Sequence, residues 1–360
     1  MERYSQGRSW ETIIAPHANV ELKSMRPNTL KRVYDLLLNK LPVRYERLIN
    51  YILGDKIKKV NIVISTLPPI ESISLALRLA SKLNAIFIAD IQDLADEYRV
   101  LERPYLSPLL RYYFNKQVYH VLSKANLILA TTEFMAKVLT LRTNNKNVLV
   151  IPNGVNVNQY DACYSLRRKF RSKVPIVVFL GDLNWRYHRL ESFIQSLRIL
   201  NDNGVKVMLK VIGSGKYLLK LVKLTKELNL HEQVRFYGYL PFKRVISELG
   251  TSSFAIVGRP AIDNLWIRTS IRLTTYEYLA CGLPIFAYGP PHSYTQYFIN
   301  KYKVGVYVPS DNPEKLADMR FKHLELLTAY NVENSRAVGE TYDWSICFRP
   351  LIKFIKDLKQ

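Results

Sequence analysis

The chain of 360 residues is longer than one hydrophobic core usually serves, so its length predicts two domains. Hydrophobic residues make up 48% of it and charged residues 23%, which excludes a disordered or fibrous chain. An excess of Lys and Arg (52) over Asp and Glu (30) gives a net charge of +22, which attracts nucleic acid, anionic membranes or phosphorylated substrates. Because no basic tail carries this excess, general surface attraction fits it better than a dedicated nucleic-acid reader.

Three features of the sequence bear on the compartment. No apolar run approaches the ~18 residues of a membrane span, and the N-terminus has no apolar signal core. Cys163, Cys281 and Cys347 lie far apart without a paired spacing, so we expect neither a disulfide framework nor a zinc site. Together these features predict a reducing, cytoplasmic setting.

Short β-branched runs alternate with segments of helical periodicity along the first half. The predicted elements are strand 61–66, helix 70–83, strand 85–89, helix 106–125, strand 126–130, helix 133–141 and strand 147–151. Strands that are apolar on both faces are typical of parallel sheets covered by helices. The polar, aperiodic segment 156–173 is the predicted linker.

The second half restarts the alternation. Its predicted strands are 175–180, 206–212, 233–237, 253–257, 283–287 and 304–308, and its predicted helices are 190–200, 217–228, 242–249, 272–280, 293–300 and 313–327. Two successive series predict an α/β chain with two Rossmann-like, doubly wound domains, 1–160 and 161–340. Ligands of such folds bind beyond the carboxyl ends of the strands, so we expect the site in a cleft between the domains.

Several motifs carry a resemblance to a known family. The segment Tyr-Glu-Tyr-Leu-Ala-Cys-Gly-Leu-Pro-Ile at 276–285 resembles the E-Y-L-A-x-G-x-P-V helix and strand of glycosyltransferase family 4, which are retaining nucleotide-sugar transferases of the GT-B fold. Val-Ile-Pro-Asn-Gly-Val-Asn at 150–156 is similar to the family's v-I-P-N-G-V-D segment. Weaker matches lie at 90–94, 179–181, 211–215 and 234–241. The motifs follow the family's order.

The resemblance implies a division of labour between the domains. The C-terminal domain, 161–340, would bind a UDP- or GDP-sugar and the N-terminal domain, 1–160, the acceptor, which is a glycan, a lipid-linked glycan or a protein. Residues 341–360 would form a helix that packs back towards the first domain. The family's chemistry implies no metal and no other cofactor.

Glu277 is the central candidate of the predicted donor site. A carboxylate accepts two hydrogen bonds from the vicinal hydroxyls of a ribose, and the resemblance assigns Glu277 this role. The alternative is an exposed helical Glu paired with a nearby Arg. The resemblance adds four donor-binding candidates from the same segment, which are Thr274, Thr275, Tyr278 and Leu279.

Two loops of the second domain supply further donor-binding candidates. Gly213, Ser214 and Gly215 follow a strand and precede a helix, an arrangement in which backbone N–H groups meet a phosphate. A tight strand–helix turn explains the same glycines. Tyr239 and Leu240 fall where the family positions its nucleobase, although Tyr239 is equally an ordinary loop aromatic.

The sequence departs from the family at the groups that stabilise the leaving diphosphate. Asp182 replaces the family's Arg, Tyr187 or His188 replaces its Lys, Thr269 replaces the first acid of the E-x7-E motif, and Thr274 replaces a second Lys. Arginines near enough in sequence to supply the charge, each also readable as a surface residue, are Arg186, Arg189, Arg259, Arg268 and Arg272. We take Arg272 as the catalytic cation and Arg186 as a donor-binding residue.

The N-terminal domain also departs from the family, because the first fifty residues contain no Gly-Gly and the first strand–loop unit is missing or altered. Asp93, at a strand end, is the second catalytic candidate, for acceptor contact or proton handling. Its alternative role is to cap a helix over 94–99. Asn153, within the 150–156 motif, is a further donor-binding candidate.

The predicted helix 106–125 is basic and aromatic, with Arg111, Tyr112, Tyr113 and Phe114 in sequence. Such a helix can lie on an anionic membrane, which would make the protein peripheral on the cytoplasmic face. A core helix with Tyr and Arg on its wet side is the alternative.

Three functions compete for the whole chain. The first is glycosyl transfer, the second is a GT-B-like binding protein that has lost the reaction, and the third is a basic nucleic-acid-binding protein with a Rossmann-like core. The altered phosphate-binding positions favour the binding protein without turnover, and only the diffuse positive charge favours nucleic-acid binding. Nucleic acid is therefore the least favoured partner.

Overall fold

The computed structural model describes residues 60–68, 70–94, 108–184, 186–318 and 332–358. The strands are β1 (Ile62–Leu67), β2 (Ile86–Ile91), β3 (Leu127–Ala130), β4 (Val148–Val150), β5 (Ile176–Leu180), β6 (Met208–Ile212), β7 (Val234–Gly238), β8 (Phe254–Gly258), β9 (Ile285–Tyr288) and β10 (Gly305–Val308). The helices are α1 (Ile70–Leu83), α2 (Pro108–Ser123), α3 (Glu133–Thr143), α4 (Asp161–Lys169), α5 (Leu190–Asp202), α6 (Leu218–Glu227), α7 (Phe242–Gly250), α8 (Leu265–Thr269), α9 (Thr274–Ala280), α10 (Tyr294–Tyr302), α11 (Pro313–Ala317), α12 (Val332–Thr341), α13 (Trp344–Cys347) and α14 (Arg349–Asp357).

The first sheet is parallel with the order β1-β2-β3-β4. A sequential order with right-handed crossovers puts the connecting helices on one face, and buried residues of α1, α2 and α3 form one core there. The opposite face is covered from the far end of the chain, because Leu351 of α14 packs with Ile88, Leu127 and Leu129. The C-terminal helix therefore belongs to the core of the first sheet.

The second sheet is parallel with the order β10-β9-β8-β5-β6-β7. From β5 the chain builds outward through β6 and β7, then returns to add β8, β9 and β10 on the other side. Helices α5, α6 and α11 cover one face of the sheet, and α4, α7, α9, α10 and α12 the other. The two-domain α/β fold with parallel sheets is confirmed. In the second sheet, the order in which strands are added reverses between the neighbouring strands β5 and β8.

The predicted linker 156–173 is wrong, since the chain there forms a 3-10 turn, Val157–Tyr160, followed by α4. Helical periodicity was hidden because the buried face of α4 carries Cys163 and an arginine, Arg167. The Arg167 guanidinium is buried and donates to the carbonyl of Ser253 at 3.0 Å. Because a charged side chain occupies the buried face, the sequence pattern wrongly predicted a polar loop here.

The expectation of unpaired cysteines is also wrong, because Cys163 of α4 and Cys281 after α9 form a disulfide with their Cα atoms 5.2 Å apart. They are 118 residues apart in sequence, and only the packing of α4 beside α9 brings them together. Cys347 is free and buried. The pairing removes one of the three features from which the sequence predicted a reducing, cytoplasmic setting.

Two further differences concern the last third of the chain. Helices α8 and α12 were not predicted, and of the predicted helix 313–327 the structure shows α11, while 319–327 lies outside the described residues. The altered N-terminal unit, residues 1–59, also lies outside them. Among the helices that the structure describes, none is long and apolar enough to cross a membrane.

Candidate functional site

The reversal between β5 and β8 marks the crevice where doubly wound folds bind ligands, at the carboxyl ends of the strands. Arg272, just before α9, reaches this point: its Nη2 donates to the carbonyl of Leu180, the last residue of β5, at 3.2 Å. The guanidinium lies over the ring of Phe179, 5.1 Å from the ring centroid. Gly181 leaves room for it, because a Cβ at that position would meet Nη2.

A second arginine comes to the same place from β8. Arg259 directly follows that strand, and its guanidinium lies over the indole of Trp266 at 4.9 Å. Arg259 and Arg272 are 8% and 7% exposed. Burial and the positive charge of Arg272 lower the pKa of Arg259 to about 10. Burial lowers the pKa of Arg272 as well.

These two guanidiniums have unused donors. Within the described part of the chain, Nε of Arg259 and Nη1 of Arg272 are buried and have no hydrogen-bond partner. A buried charged donor without an acceptor is costly, since it has lost its hydration and gained nothing in return. The arrangement is therefore suited to an anion that would accept from both side chains.

His188 lies beside the two arginines, in the 3-10 turn Arg186–His188. Burial, followed by the charges of Arg272 and Arg259, lowers the pKa of His188 well below its ordinary value, while a backbone hydrogen bond with Asp182 acts in the opposite direction. The imidazole is neutral at neutral pH, so the arginines carry the positive charge of the cluster. The described residues gather no three His, Cys, Asp or Glu side chains that could hold a metal ion.

Glu277 lies in the first turn of α9, half-buried. Its carboxylate accepts a hydrogen bond from the phenol of Tyr160, a residue that is 5% exposed. Burial raises the pKa of Glu277, whereas the bond from Tyr160 and the positive charge of Arg272 act in the opposite direction. Glu277 is thus held inside the molecule beside Arg272, and not on an exposed helix surface. The sequence did not identify Tyr160, which fell in the supposed linker.

Asp93 connects the first domain to this cluster. Its Oδ1 accepts a hydrogen bond from Nε1 of Trp266, in α8 of the second domain. Burial raises the pKa of Asp93, while this bond and the positive charge of Arg259 act in the opposite direction. The helix that Asp93 was alternatively expected to cap, 94–99, lies outside the described residues beyond Leu94.

Two more contacts join the domains near the cluster. The hydroxyl of Thr132 donates to the carbonyl of Thr269, and the ring of Phe134 packs edge-on against that of Tyr294 with centroids 5.4 Å apart. The hydroxyl of Thr269 donates to the carbonyl of Leu265 within α8, at 2.9 Å. At position 269, where the resemblance would place an acid, the backbone carbonyl therefore contributes to the contact between the domains.

The glycine loop at 213–215 is explained by packing. Gly213 and Gly215 have φ values of 140° and 154°, and a Cβ on either would collide with the backbone of the loop that follows β5. The carbonyl of Ser214 accepts from the N–H of Leu183 in that loop at 2.9 Å. The two glycines thus have a structural role that needs no phosphate.

The remaining donor-binding candidates are Arg186, Tyr239, Leu240 and Asn153. Arg186 makes two bonds to Glu191, at 2.9 and 3.2 Å, with its side chain 58% exposed. Tyr239 is 73% exposed, and Leu240 is half-buried against the second-domain core. Asn153 is half-buried in the segment after β4. Their roles in binding stay predictions.

The neighbours of Glu277 in α9 are mostly internal. Tyr278 and Leu279 are fully buried, so neither side chain offers a surface to a ligand. The Tyr278 hydroxyl accepts from the N–H of Leu180 at 2.7 Å, which braces the end of β5. Thr275 is fully buried and Thr274 half-buried.

The predicted membrane-facing helix is present as α2, but the side chains of residues 108–114 lie outside those described. Farther along it, Tyr119 is 9% exposed and its hydroxyl accepts from Nη1 of Arg142 at 2.7 Å. Val118 and Leu122 belong to the first-domain core. This end of α2 is a core helix, and membrane contact stays a prediction.

The chain was compared with known protein families, curated proteins and solved structures. A family profile described as "Glycosyl transferases group 1" matches residues 166–326, which span β5 to β10 and the arginine cluster. No curated protein is detectably similar to the chain in sequence.

Solved structures match nearly the whole chain. A glycosyltransferase from Rickettsia africae ESF-5 is 17% identical with a TM-score of 0.65, covering 95% of this chain and 85% of that one. Sucrose-phosphate synthase from Thermosynechococcus elongatus is 18% identical with a TM-score of 0.66, covering 89% and 79%. Anabaena Alr3699/HepE in complex with UDP is 12% identical with a TM-score of 0.65, covering 88% and 83%. The chain has the GT-B fold.

Proposed function

We propose that the protein is a retaining glycosyltransferase of family 4, which moves a sugar from a UDP- or GDP-sugar to a glycan, a lipid-linked glycan or a protein. One observation carries the proposal. Glu277, which accepts a hydrogen bond from Tyr160, lies beside Arg272 at the point where the strand order of the second sheet reverses. An anionic acceptor for ribose hydroxyls and a cation for phosphate are thereby neighbours, which matches the two ends of a nucleoside diphosphate.

Proteins of the same fold support the choice of donor. Alr3699/HepE of Anabaena was solved with UDP and with UDP-glucose, and a mutant form of S. aureus TarM with UDP and a glycosylated glycerol. Both share the two-domain architecture with this chain, although at 12–16% identity the likeness shows the fold alone. UDP-sugars are therefore the first donors to test.

The reaction asks for charge stabilisation at one place. The bond from the sugar C1 to the diphosphate oxygen breaks, the nucleoside diphosphate leaves with the electron pair, and the acceptor hydroxyl forms the new bond on the same face of the sugar. The acceptor proton passes to the diphosphate, so atoms and charge balance. Arg272 meets the growing negative charge in a buried setting, where a cation acts more strongly than in water.

We propose that this chemistry needs no metal and no other cofactor, since side-chain cations take the place of a divalent ion. Transfer that continues after EDTA treatment and is not increased by Mg²⁺ or Mn²⁺ is the expected result. A cytoplasmic location and contact with an anionic membrane remain predictions from the sequence.

The experiment that tests the proposal is transfer from radiolabelled UDP- and GDP-sugars to panels of glycans, lipid-linked glycans and proteins. A stable labelled product that is absent when Glu277→Gln replaces the wild type supports it. Nucleotide binding without product, across all acceptors and with donor hydrolysis also absent, contradicts transfer.

One observation favours a second candidate, a nucleotide-binding protein without turnover. The position of the family's first acid is Thr269, whose side chain bonds to its own helix and cannot replace a carboxylate. This candidate predicts tight nucleotide binding in the absence of any product. Nucleic-acid binding, the third candidate, would have to survive moderate salt, because attraction from diffuse charge falls steeply as salt rises.

A further inference from the structure

We propose that Arg259 and Arg272 act as one site that grips the two phosphates of the donor, and that Arg259 is a binding residue in its own right. The inference rests on the proposed function and names the residues that do this work in this chain. It assigns no phosphate contact to Arg186 or to the glycine loop at 213–215.

The first argument is position. Arg259 directly follows β8, and Arg272 donates to the carbonyl of Leu180 at the end of β5, so both arginines lie at the carboxyl ends of two adjacent, paired strands. Glu277 follows Arg272 by little more than one helical turn. Ribose and diphosphate are joined covalently, so their binding groups must be neighbours, as these are.

The second argument is charge. Both guanidiniums are buried, and the positive charge of Arg272 contributes to lowering the pKa of Arg259. Among the residues that the structure describes, no carboxylate forms an ion pair with either arginine. The carboxylates whose charges act on the two guanidiniums are Asp93, on Arg259, and Glu277, on Arg272. A free nitrogen on each arginine still lacks an acceptor. A diphosphate supplies acceptor oxygens and negative charge to both at once.

The third argument is that the other candidates are already engaged. Arg186 is bonded twice to Glu191 on the surface. Gly213 and Gly215 pack against the loop after β5. Arg186 thus has an ionic partner, and the two glycines have a packing role, while Nε of Arg259 and Nη1 of Arg272 have no acceptor among the described residues.

The test separates the phosphates from the nucleoside. Calorimetry with uridine and UDP, and with guanosine and GDP, measures the affinity gained by adding the diphosphate. We expect Arg259→Gln and Arg272→Gln each to reduce that gain by on the order of ten-fold or more, with nucleoside affinity unchanged. Arg198→Gln, at an exposed arginine paired with Asp202, is the matched control and should change neither value.

Further variants guard against a folding artefact. Arg259→Met keeps the packing on Trp266 while removing a buried charge that repels Arg272, so its melting temperature without ligand should not fall below that of wild type. A marked fall would show that Arg259 is a satisfied structural cation and would overturn its role. Arg259→Lys keeps the positive charge but cannot donate two parallel hydrogen bonds as a guanidinium does. Compared with Arg259→Gln, it should therefore recover part of the affinity gained by adding the diphosphate.

Inorganic pyrophosphate distinguishes failure of the inference from failure of the proposed function. It should raise the melting temperature of wild type and of Glu277→Gln, but not of the Arg259→Gln/Arg272→Gln double variant. Pyrophosphate binding without nucleotide binding would support the two-arginine site and contradict the proposed transferase function. Nucleotide binding with a diphosphate gain that persists in the double variant, or is lost only in Arg186→Gln, overturns the two-arginine site.

Discussion

The phenol of Tyr160 donates a hydrogen bond to the carboxylate of Glu277, and so joins the segment between the two sheets to the helix that carries the proposed ribose ligand. Tyr160 is itself fixed by packing, with its ring edge-on to Phe242 at 5.6 Å. The bond favours the ionised carboxylate, which is the form that accepts from ribose hydroxyls.

Tyr160→Phe tests this relationship with the ring packing intact. Loss of the donor should raise the pKa of Glu277 further and weaken nucleoside binding about five-fold, corresponding to ~1 kcal/mol for one hydrogen bond. Calorimetry at neutral and mildly acidic pH makes the measurement. In the Glu277→Gln background the same substitution should have little effect; an equal loss there would mean that Tyr160 acts on folding alone.

The raised pKa of Glu277 sets the expected pH dependence. Because burial raises the pKa of Glu277, its carboxylate takes up a proton at a higher pH than an ordinary glutamate does. The affinity for uridine or guanosine should therefore fall as the pH drops through this raised pKa. Nucleosides serve better than nucleotides here, since they carry no phosphate that titrates in the same interval. A flat profile for Glu277→Gln is the control, and a flat wild-type profile would contradict an ionised Glu277.

The disulfide between Cys163 and Cys281 predicts a stability difference. It closes a loop of more than a hundred residues, so reduction should destabilise the fold by ~2–4 kcal/mol. Denatured, non-reduced protein should show one reactive thiol, that of Cys347, and reduced protein three. Three thiols without reductant, in oxidised and correctly folded protein, would be incompatible with the pairing.

Asp93→Asn distinguishes two roles for the carboxylate that accepts from Trp266. If Asp93 contacts the acceptor or handles its proton, as the sequence predicts, transfer should fall by on the order of a hundred-fold while nucleotide affinity stays the same. If Asp93 instead orients Arg259, the diphosphate contribution to affinity should fall together with transfer. Initial rates and calorimetry on one preparation decide between them, and no change in either would remove Asp93 from the site.

The sequence predicted most strands and helices because their apolar residues repeat at the periods that buried strands and amphipathic helices require. It failed at α4, where Arg167 lies on the buried face, and at Cys163–Cys281, which chain spacing cannot reveal. It named Glu277 through a resemblance, chose Arg272 from several arginines near the motifs, and noted Arg259 only as another of them.

What separates Arg259 from Arg186 is burial and partnership, which tertiary packing creates. Arg259 is 8% exposed with a free Nε, whereas Arg186 is exposed and bonded to Glu191. Tyr160 was missed for a related reason, because its partner lies more than a hundred residues away along the chain. Such relationships depend on long-range contacts, and no local pattern reports them.

The most direct test of the central claim is calorimetric titration of a UDP- or GDP-sugar into wild type and Glu277→Gln, with Glu227→Gln, an exposed glutamate paired with Lys223, as the matched control. Loss of two hydrogen bonds to a charged acceptor should weaken binding by on the order of ten- to a hundred-fold in Glu277→Gln and leave Glu227→Gln unchanged. Equal affinity in wild type and Glu277→Gln would contradict a nucleotide site at this carboxylate.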